Sequence, residues 1–238
     1  MTQTVFPKVS IITVTYNAAA VLRSTIESVI NVNYPNLEYI IVDGASRDST
    51  VMIAGEYKEY IGRFVSEPDK GVFDAMNKGT QLATGDWLLY LNAGDLIYDA
   101  DVFLKLRLDE LGDMALIYGD TNDIGIGIRQ PFSMKSLKYG MIMACHQSML
   151  FNKPLLKTEL YYSNDFSFYN DYELVVRILK KGFKAKYKSL VIASYLGGGI
   201  SSQVSGKARF DRYKMMFRLY GIKGVVSALL FRAGYRPF

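Results

Sequence analysis

The chain has 238 residues, half of them hydrophobic, which suits one core-bearing domain with an appendage. Its formal charge of +5 is unevenly placed: Gln203 to Phe238 holds eight basic residues against the single acid Asp211, a local charge of +7, so residues 1–202 carry −2. A slightly acidic body excludes a nucleic-acid-binding core and directs the basic tail to an anionic surface.

Cys145 and His146 are the lone cysteine and histidine, so an internal disulfide and a Cys/His zinc site are both excluded. Any metal must sit on oxygen ligands, which points to Mg²⁺ or Mn²⁺. A single thiol suits a reducing compartment, no charged-then-apolar leader opens the chain, and no apolar run approaches the ~20 residues that cross a bilayer. The expectation is a cytoplasmic protein, soluble or peripheral on the inner face of the plasma membrane.

In chain order, "VSIITVT" (9–15) is a β-branched run that predicts a strand, and Val21, Leu22, Ile26, Val29 and Ile30 carry helical spacing after it. "LEYIIVD" (37–43) predicts a second strand closed by "GASRDST", and "IGRFVSE" (61–67) a third, followed by "PDKG" and the helix "VFDAMNKGTQLA". "DWLLYLN" is the fourth, and a fifth spans 114–119. Apolar strands alternating with amphipathic helices predict an α/β, doubly wound, mainly parallel sheet with helices on both faces. Beyond residue 120 the rhythm breaks into a hairpin or loop at "GIGIRQP", a strand at "QSMLFN", a helix "NDYELVVRILKKG" ending at Gly182 and a strand "KSLVIASY". The tail reads as two short helices separated near Gly221 and Gly224.

Ligands of open parallel sheets bind at the carboxyl ends of strands. Here those ends carry Thr15-Tyr16-Asn17, Asp43-Gly44-Ala45-Ser46-Arg47-Asp48, Glu67-Pro68-Asp69-Lys70-Gly71 and Asn92-Ala93-Gly94-Asp95. Turn formation alone accounts for some of them, with Asp48 or Ser49 as a helix cap. "TVTYNAAA" lacks the glycine fingerprint of a dinucleotide fold, and no phosphate-cradling GxxxxGK[ST] is present. A bound diphosphate therefore needs another neutraliser, and a cation held by Asp95, with Lys70 or Arg47 nearby, supplies one.

The stretches "PKVSIITVTYN", "YIIVDGASRDST", "DKGVFDAMNKGTQLATGDWLLYLNAGD", "CHQSMLF" and "NDYELVVRILKKG" resemble, in that order, the inverting family 2 glycosyltransferases of the GT-A fold. The likeness is closest to bacterial enzymes that build surface polysaccharides (O-antigen, capsule or exopolysaccharide). It implies a transferase domain over 1–202, with a nucleotide-sugar half at about 7–119 and an acceptor half at about 120–202, and a basic amphipathic helical tail over 203–238. It implies that Thr15, Tyr16 and Asn17 line the base and ribose, that Asp43 accepts a base N–H, and that Gly44, Ser46 and Asp48 belong to the motif after the second strand. Lys70, Asp74 and Asn77 would flank nucleotide and sugar. Asp95 matches the last acid of the family's Asp-x-Asp-Asp-like metal motif, from which Asn92 and Gly94 depart, with Ala93 between them. The donor implied is a nucleotide sugar, UDP-linked, and the acceptor a lipid-linked saccharide.

Inverting transfer needs a carboxylate that takes the acceptor proton. Asp171 shares the helix face of Leu174 and Val175. Asn170 with Glu173 predicts a capping box that leaves Asp171 free, and the family's catalytic aspartate matches Asp171. His146 is either a hydrogen-bonded structural residue or, with Gln147 as the family's His-Gln pair, a contact to diphosphate, metal or acceptor. Arg177 is either a phosphate partner or one half of an ion pair. "GGGISS" (197–202) is a candidate lid. The tail suits an anionic membrane interface, or simple packing on the domain. Two other readings stand beside the transferase. A nucleotidyltransferase would need a basic glycine-rich loop after the first strand, and a silent nucleotide-sugar-binding scaffold would fit the missing acids at 92 and 94.

Overall fold

The computed structural model describes residues 5–166, 168–197 and 206–235. Strand β1 (Val9–Thr15) is buried along its whole length. Parallel to it run β2 (Leu37–Asp43), β3 (Arg63–Ser66) and β4 (Trp87–Tyr90) in the order β3-β2-β1-β4. The register pairs Val9 with Leu37 and Thr15 with Asp43, so the carboxyl ends of β1 and β2 finish level on one rim. Helices α1 (Ala19–Ile30), α2 (Thr50–Glu56) and α3 (Val72–Leu82) make the crossovers. Because side chains alternate along a strand, Val9 and Ile11 enter the core under α1 and α2 while Ile12 and Val14 enter the core under α3. Both faces being covered explains why β1 is nearly continuous in apolar residues.

Past β4 the sheet turns mixed. A two-residue β5 (Leu96–Ile97) and the short α4 (Val102–Leu106) precede β6 (Leu116–Asp123), which forms a hairpin with β7 (Gly127–Arg129). Strand β8 (Met149–Asn152) inserts antiparallel between β4 and β6. After α5 (Lys153–Leu156) and α6 (Asn170–Lys180), β9 (Ala185–Tyr195) lies parallel to β6 and carries β5 on its outer edge. The predicted α/β sheet with helices on both faces is thus present, and its fifth predicted strand sits one place further out than simple winding implies.

The tail is α7 (Gly206–Arg232), broken at Gly221, whose φ of 63° and ψ of −153° leave helical geometry. A Cβ at Gly224 would stand 2.5 Å from the Met216 carbonyl oxygen, so the second arm folds closely on the first. Met215 and Met216 are buried, so this face of the tail packs on the domain. Met216 meets the Tyr172 hydroxyl of α6 at 3.4 Å, and Arg212 donates to the Tyr139 carbonyl at 2.9 Å. Phe210, Phe217, Ile222, Leu229 and Leu230 remain exposed.

Candidate active site

The first two strand ends are sewn to each other. Asp43 is fully buried and accepts from the Ser46 amide (2.9 Å), the Ser46 hydroxyl (2.5 Å) and the Ser66 hydroxyl (2.6 Å). Ser46 Oγ also receives the Asn17 amide at 2.7 Å, and Asn17 Oδ1 receives the Arg47 amide at 2.8 Å. Asn17 sits at φ 48°, a left-handed position that asparagine tolerates. Asp48 accepts from Ala19 N (3.1 Å) at the start of α1 and from Thr50 N (3.0 Å) and Thr50 Oγ1 (2.5 Å) at the start of α2. It thus takes the first amide of two helices, and the Thr50 hydroxyl holds its carboxyl below the usual range. A Cβ at Gly44 would lie 2.5 Å from Asp69 Oδ2, so a side chain there would push the Asp69 carboxylate aside. Tyr16 is exposed at the rim, and Thr15 Oγ1 is buried with no hydrogen-bond partner.

The third strand end contributes less than the sequence implies. Lys70 is exposed and its amide donates to Asp74 Oδ2 at 3.1 Å, while Asp74 lies 3.9 Å from the Lys78 ammonium. Asn77 departs from the expected donor contact. Its amide clamps the Tyr162 backbone, Nδ2 to O and Oδ1 from N, both at 2.8 Å, and it is buried. That side chain ties α3 to the segment before α6, which fixes its amide on the Tyr162 backbone.

At the end of β4 the residues converge. Asn92 Nδ2 lies 3.1 Å from His146 Nε2, and Gln147 Nε2 donates to Asp95 Oδ2 at 2.8 Å. Asp95 Oδ1 takes the Leu196 amide at 3.1 Å. Ala93 N and Asp95 N close the turn onto Val14 O (3.2 Å) and Asn92 O (3.0 Å). Gly94 stands at φ 101°, its amide held by Thr25 Oγ1 at 2.8 Å, and a Cβ there would come 3.0 Å from Leu196 Cδ2. Backbone conformation thus explains why position 94 carries no acid. Burial lifts the Asp95 carboxyl to about 6 against its two hydrogen bonds, and burial pulls His146 down to about 4, so His146 is neutral near pH 7.

Among the described residues no three His, Cys, Asp or Glu side chains form a metal cluster. The fit for one hard cation is nonetheless good. Asp95 accepts one hydrogen bond per oxygen, keeps a lone pair on each, and has no ion pair among the described residues. Asn92 Oδ1 is buried with no partner. Two neighbouring oxygen donors with unmet capacity suit Mg²⁺ or Mn²⁺ completed by phosphate and water oxygens.

Asp171 opens α6. The predicted capping box does not form: Asn170 is buried with Nδ2 bonded to the Phe166 carbonyl (2.6 Å), and Glu173 pairs with Arg177 at 3.0 Å. Asp171 accepts from the Tyr172 amide at 2.7 Å, and burial raises its carboxyl to about 6. It borders a cavity of about 530 Å³ between α6 and α7, together with Tyr169, Arg209, Arg212 and Arg232. The sequence analysis missed those arginines, because nothing in their spacing ties them to a helix so far upstream. Arg177 is corrected to its structural alternative: its guanidinium is committed to Glu173, to Glu159 (3.2 Å) and to the Glu159 and Tyr161 carbonyls. Beyond Gly197, the candidate lid lies outside the described residues.

A parallel βα half whose strand ends meet a mixed half, with an acid at the fourth strand end, is the GT-A glycosyltransferase architecture. Residues 10–170 match the family described as glycosyl transferase family 2, and the chain belongs to it. A PGL/p-HBAD biosynthesis glycosyltransferase of Mycobacterium bovis is 32% identical over 229 residues, covering 92% of this chain and 89% of the relative. Among solved structures, S. aureus TarS 1-349 in complex with UDP-GlcNAc superposes with a TM-score of 0.70 at 17% identity, over 89% of this chain and 65% of that one. The mannosyltransferase PcManGT from Pyrobaculum calidifontis, in complex with GDP-Man and Mn²⁺, gives 0.68 at 17% identity, over 98% and 78%. At such identities the structural likeness establishes the fold.

Proposed function

We propose that this protein is an inverting glycosyltransferase that moves a sugar from a UDP-linked donor to a lipid-linked saccharide, in surface-polysaccharide biosynthesis at the inner face of the plasma membrane. The observation that carries the reading is a pair of carboxylates, Asp95 and Asp171, each left short of hydrogen-bond donors and each raised to about 6 by burial. Neither has an ion-pair partner among the described residues, and they open the β4 rim and the α6 cavity respectively.

In this reading the β1 and β2 ends, Thr15 to Asn17 and Asp43 to Ser46, frame the nucleotide, and the unpartnered Thr15 Oγ1 faces it. Asp95, with the free Asn92 oxygen, would hold Mn²⁺ or Mg²⁺, which supplies charge neutralisation to the leaving diphosphate. With a value near 6, Asp171 is roughly nine-tenths ionised at pH 7 and basic enough to accept a proton. It takes the proton of the acceptor hydroxyl. The hydroxyl oxygen bonds to the anomeric carbon from the face opposite the nucleotide, and the bond from that carbon to the diphosphate oxygen breaks, with UDP leaving. His146, neutral and hydrogen-bonded to Asn92, orients the Asn92 amide.

A thermal-shift screen of UDP-, GDP- and dTDP-sugars with Mn²⁺ tests the reading, since a bound donor stabilises the folded state by mass action. A UDP-sugar is expected to raise Tm only when the cation is present. No shift with any nucleotide sugar, or an equal shift in EDTA, overturns it.

A further inference from the structure

We propose that α7 forms one wall of the acceptor site and that its arginines hold a phosphate group on the acceptor. The proposal rests on the reading of Asp171 as the base and names what that base's substrate carries. It starts from a charge imbalance. The cavity in front of Asp171 is bordered by Arg209, Arg212 and Arg232, three guanidinium groups against one carboxylate. Elsewhere among the described residues Arg23, Arg107, Arg129, Arg177 and Arg218 each pair with an acid, while Arg47 and Arg63, both exposed, do not. Among the described residues the three cavity arginines pair with none. Among the described residues Arg232 reaches the Tyr213 hydroxyl, at 3.5 Å. Arg212 donates once, to the Tyr139 carbonyl, rests 5.8 Å from the Phe231 ring centre, and leaves its Nε buried with no partner.

Three guanidinium groups bordering one concavity with a single lining carboxylate attract an anionic group. The planar guanidinium fork favours phosphate oxygens in paired hydrogen bonds. Asp171 borders the same space, so the phosphate and the reacting hydroxyl belong to one ligand. A second cavity of about 270 Å³ shares Gly140, Ile142 and Tyr169 with the first and runs toward Arg129, leaving room for an extended saccharide. The segment that supplies the arginines lies beyond residues 10–170, the part matching the family.

Calorimetry on the full chain in EDTA tests this, with inorganic pyrophosphate and geranyl diphosphate as probes. Both are expected to bind the wild type, to lose at least tenfold in affinity in R209Q/R232Q, and to be unaffected by Asp95→Asn. A geranyl diphosphate preference of tenfold or more assigns a lipid-linked phosphate, and equal affinities assign a phosphate on a water-soluble acceptor; either keeps the proposal. Absence of binding in EDTA, or affinities unmoved in R209Q/R232Q, overturns it. Titration of UDP with Mn²⁺ separates the two readings: R209Q/R232Q is expected to keep UDP affinity, which also shows that it folds. Failure of UDP to bind the wild type would remove the donor reading and leave the arginine result standing.

Discussion

The β1–β2 region and the pair of sites at the β4 end and the start of α6 supply their carboxylates with hydrogen-bond donors in opposite measure. Glu38, on β2, is partly buried, and burial alone would raise its carboxyl. Hydrogen bonds from Ser10, Thr84 and Lys8 outweigh that and hold it at about 2. Asp43, fully buried, and Asp48, exposed, accept three hydrogen bonds each. Asp95 receives two from side chain and backbone, Asp171 has only the backbone of its own first turn, and in both burial wins. Deep burial together with few donors separates an acid available for chemistry from one that holds the fold.

The sharpest way to break this comparison is Asp171→Asn. Transfer is expected to fall by about 10²–10⁴-fold, the range for removing a general base, while calorimetry shows UDP affinity with Mn²⁺ unchanged. Turnover within a few-fold of wild type would mean that a different group takes the proton.

Asp95→Asn comes next and has two readouts. Mn²⁺ affinity, followed by the spin signal of the free ion, is expected to drop by about tenfold or more. The second readout is stability of the metal-free protein. Because the folded-state value of about 6 lies above the unfolded value near 3.8, wild-type Asp95 is best tolerated below pH 4 and costs stability as pH rises through 6. The variant should therefore gain on wild type by about 2 kcal/mol between pH 4.5 and pH 7, from the size of that shift. His146, pulled down to about 4, destabilises in the opposite direction as pH falls, but it is common to both proteins and cancels. Glu38 has the reverse sign to Asp95: its contribution is present above about pH 4.5 and is lost as pH falls toward 2. A pH-independent difference between Asp95→Asn and wild type would show that the acid is as well supplied with donors as Asp43.

Asn77→Ala probes the satisfied side. Two buried backbone groups of Tyr162 lose their partners, so urea unfolding should show a loss of about 2–3 kcal/mol, with UDP affinity retained in the folded protein. Lost UDP affinity without lost stability would restore Asn77 to the donor site.

Much of the parallel half was legible because its signals are local. β1 and β2 begin and end where their apolar runs do, and the tail breaks at Gly221, one of two glycines expected to break it. The two-residue β5 and the insertion of β8 between β4 and β6 were not, since pairing order depends on contacts between distant segments. Side-chain commitments were the least legible. Asn77 has the residue type of a binding site, yet it finds backbone partners 85 positions away that no spacing rule reveals, whereas the partners of Asp48 and Arg177 are among the alternatives that local spacing offers. The meeting of Asn92 with His146 and of Asp95 with Gln147 depends on β8 lying beside β4, which brings residues 146–147 to the strand end.

The smallest expected effect concerns the outer face of α7, the other side of the helix that lends arginines to the cavity. Phe217 is 58% and Ile222 74% exposed while Met215 and Met216 are fully buried, so the tail docks on the body with one face and presents an apolar, basic face outward. Inserting such side chains into a membrane interface contributes about 1–2 kcal/mol each, and nearby cations add attraction to anionic lipid. The wild type should sediment with vesicles of phosphatidylglycerol at low salt and be released by 0.5 M KCl (~0.5 M is several-fold above the salt at which surface charges are already screened). F217S/I222S should partition about tenfold less, with UDP affinity and unfolding midpoint close to wild type, because neither side chain is part of the buried core. If the wild type stays in the supernatant at low salt, the outward face is solvated and α7 serves the body alone.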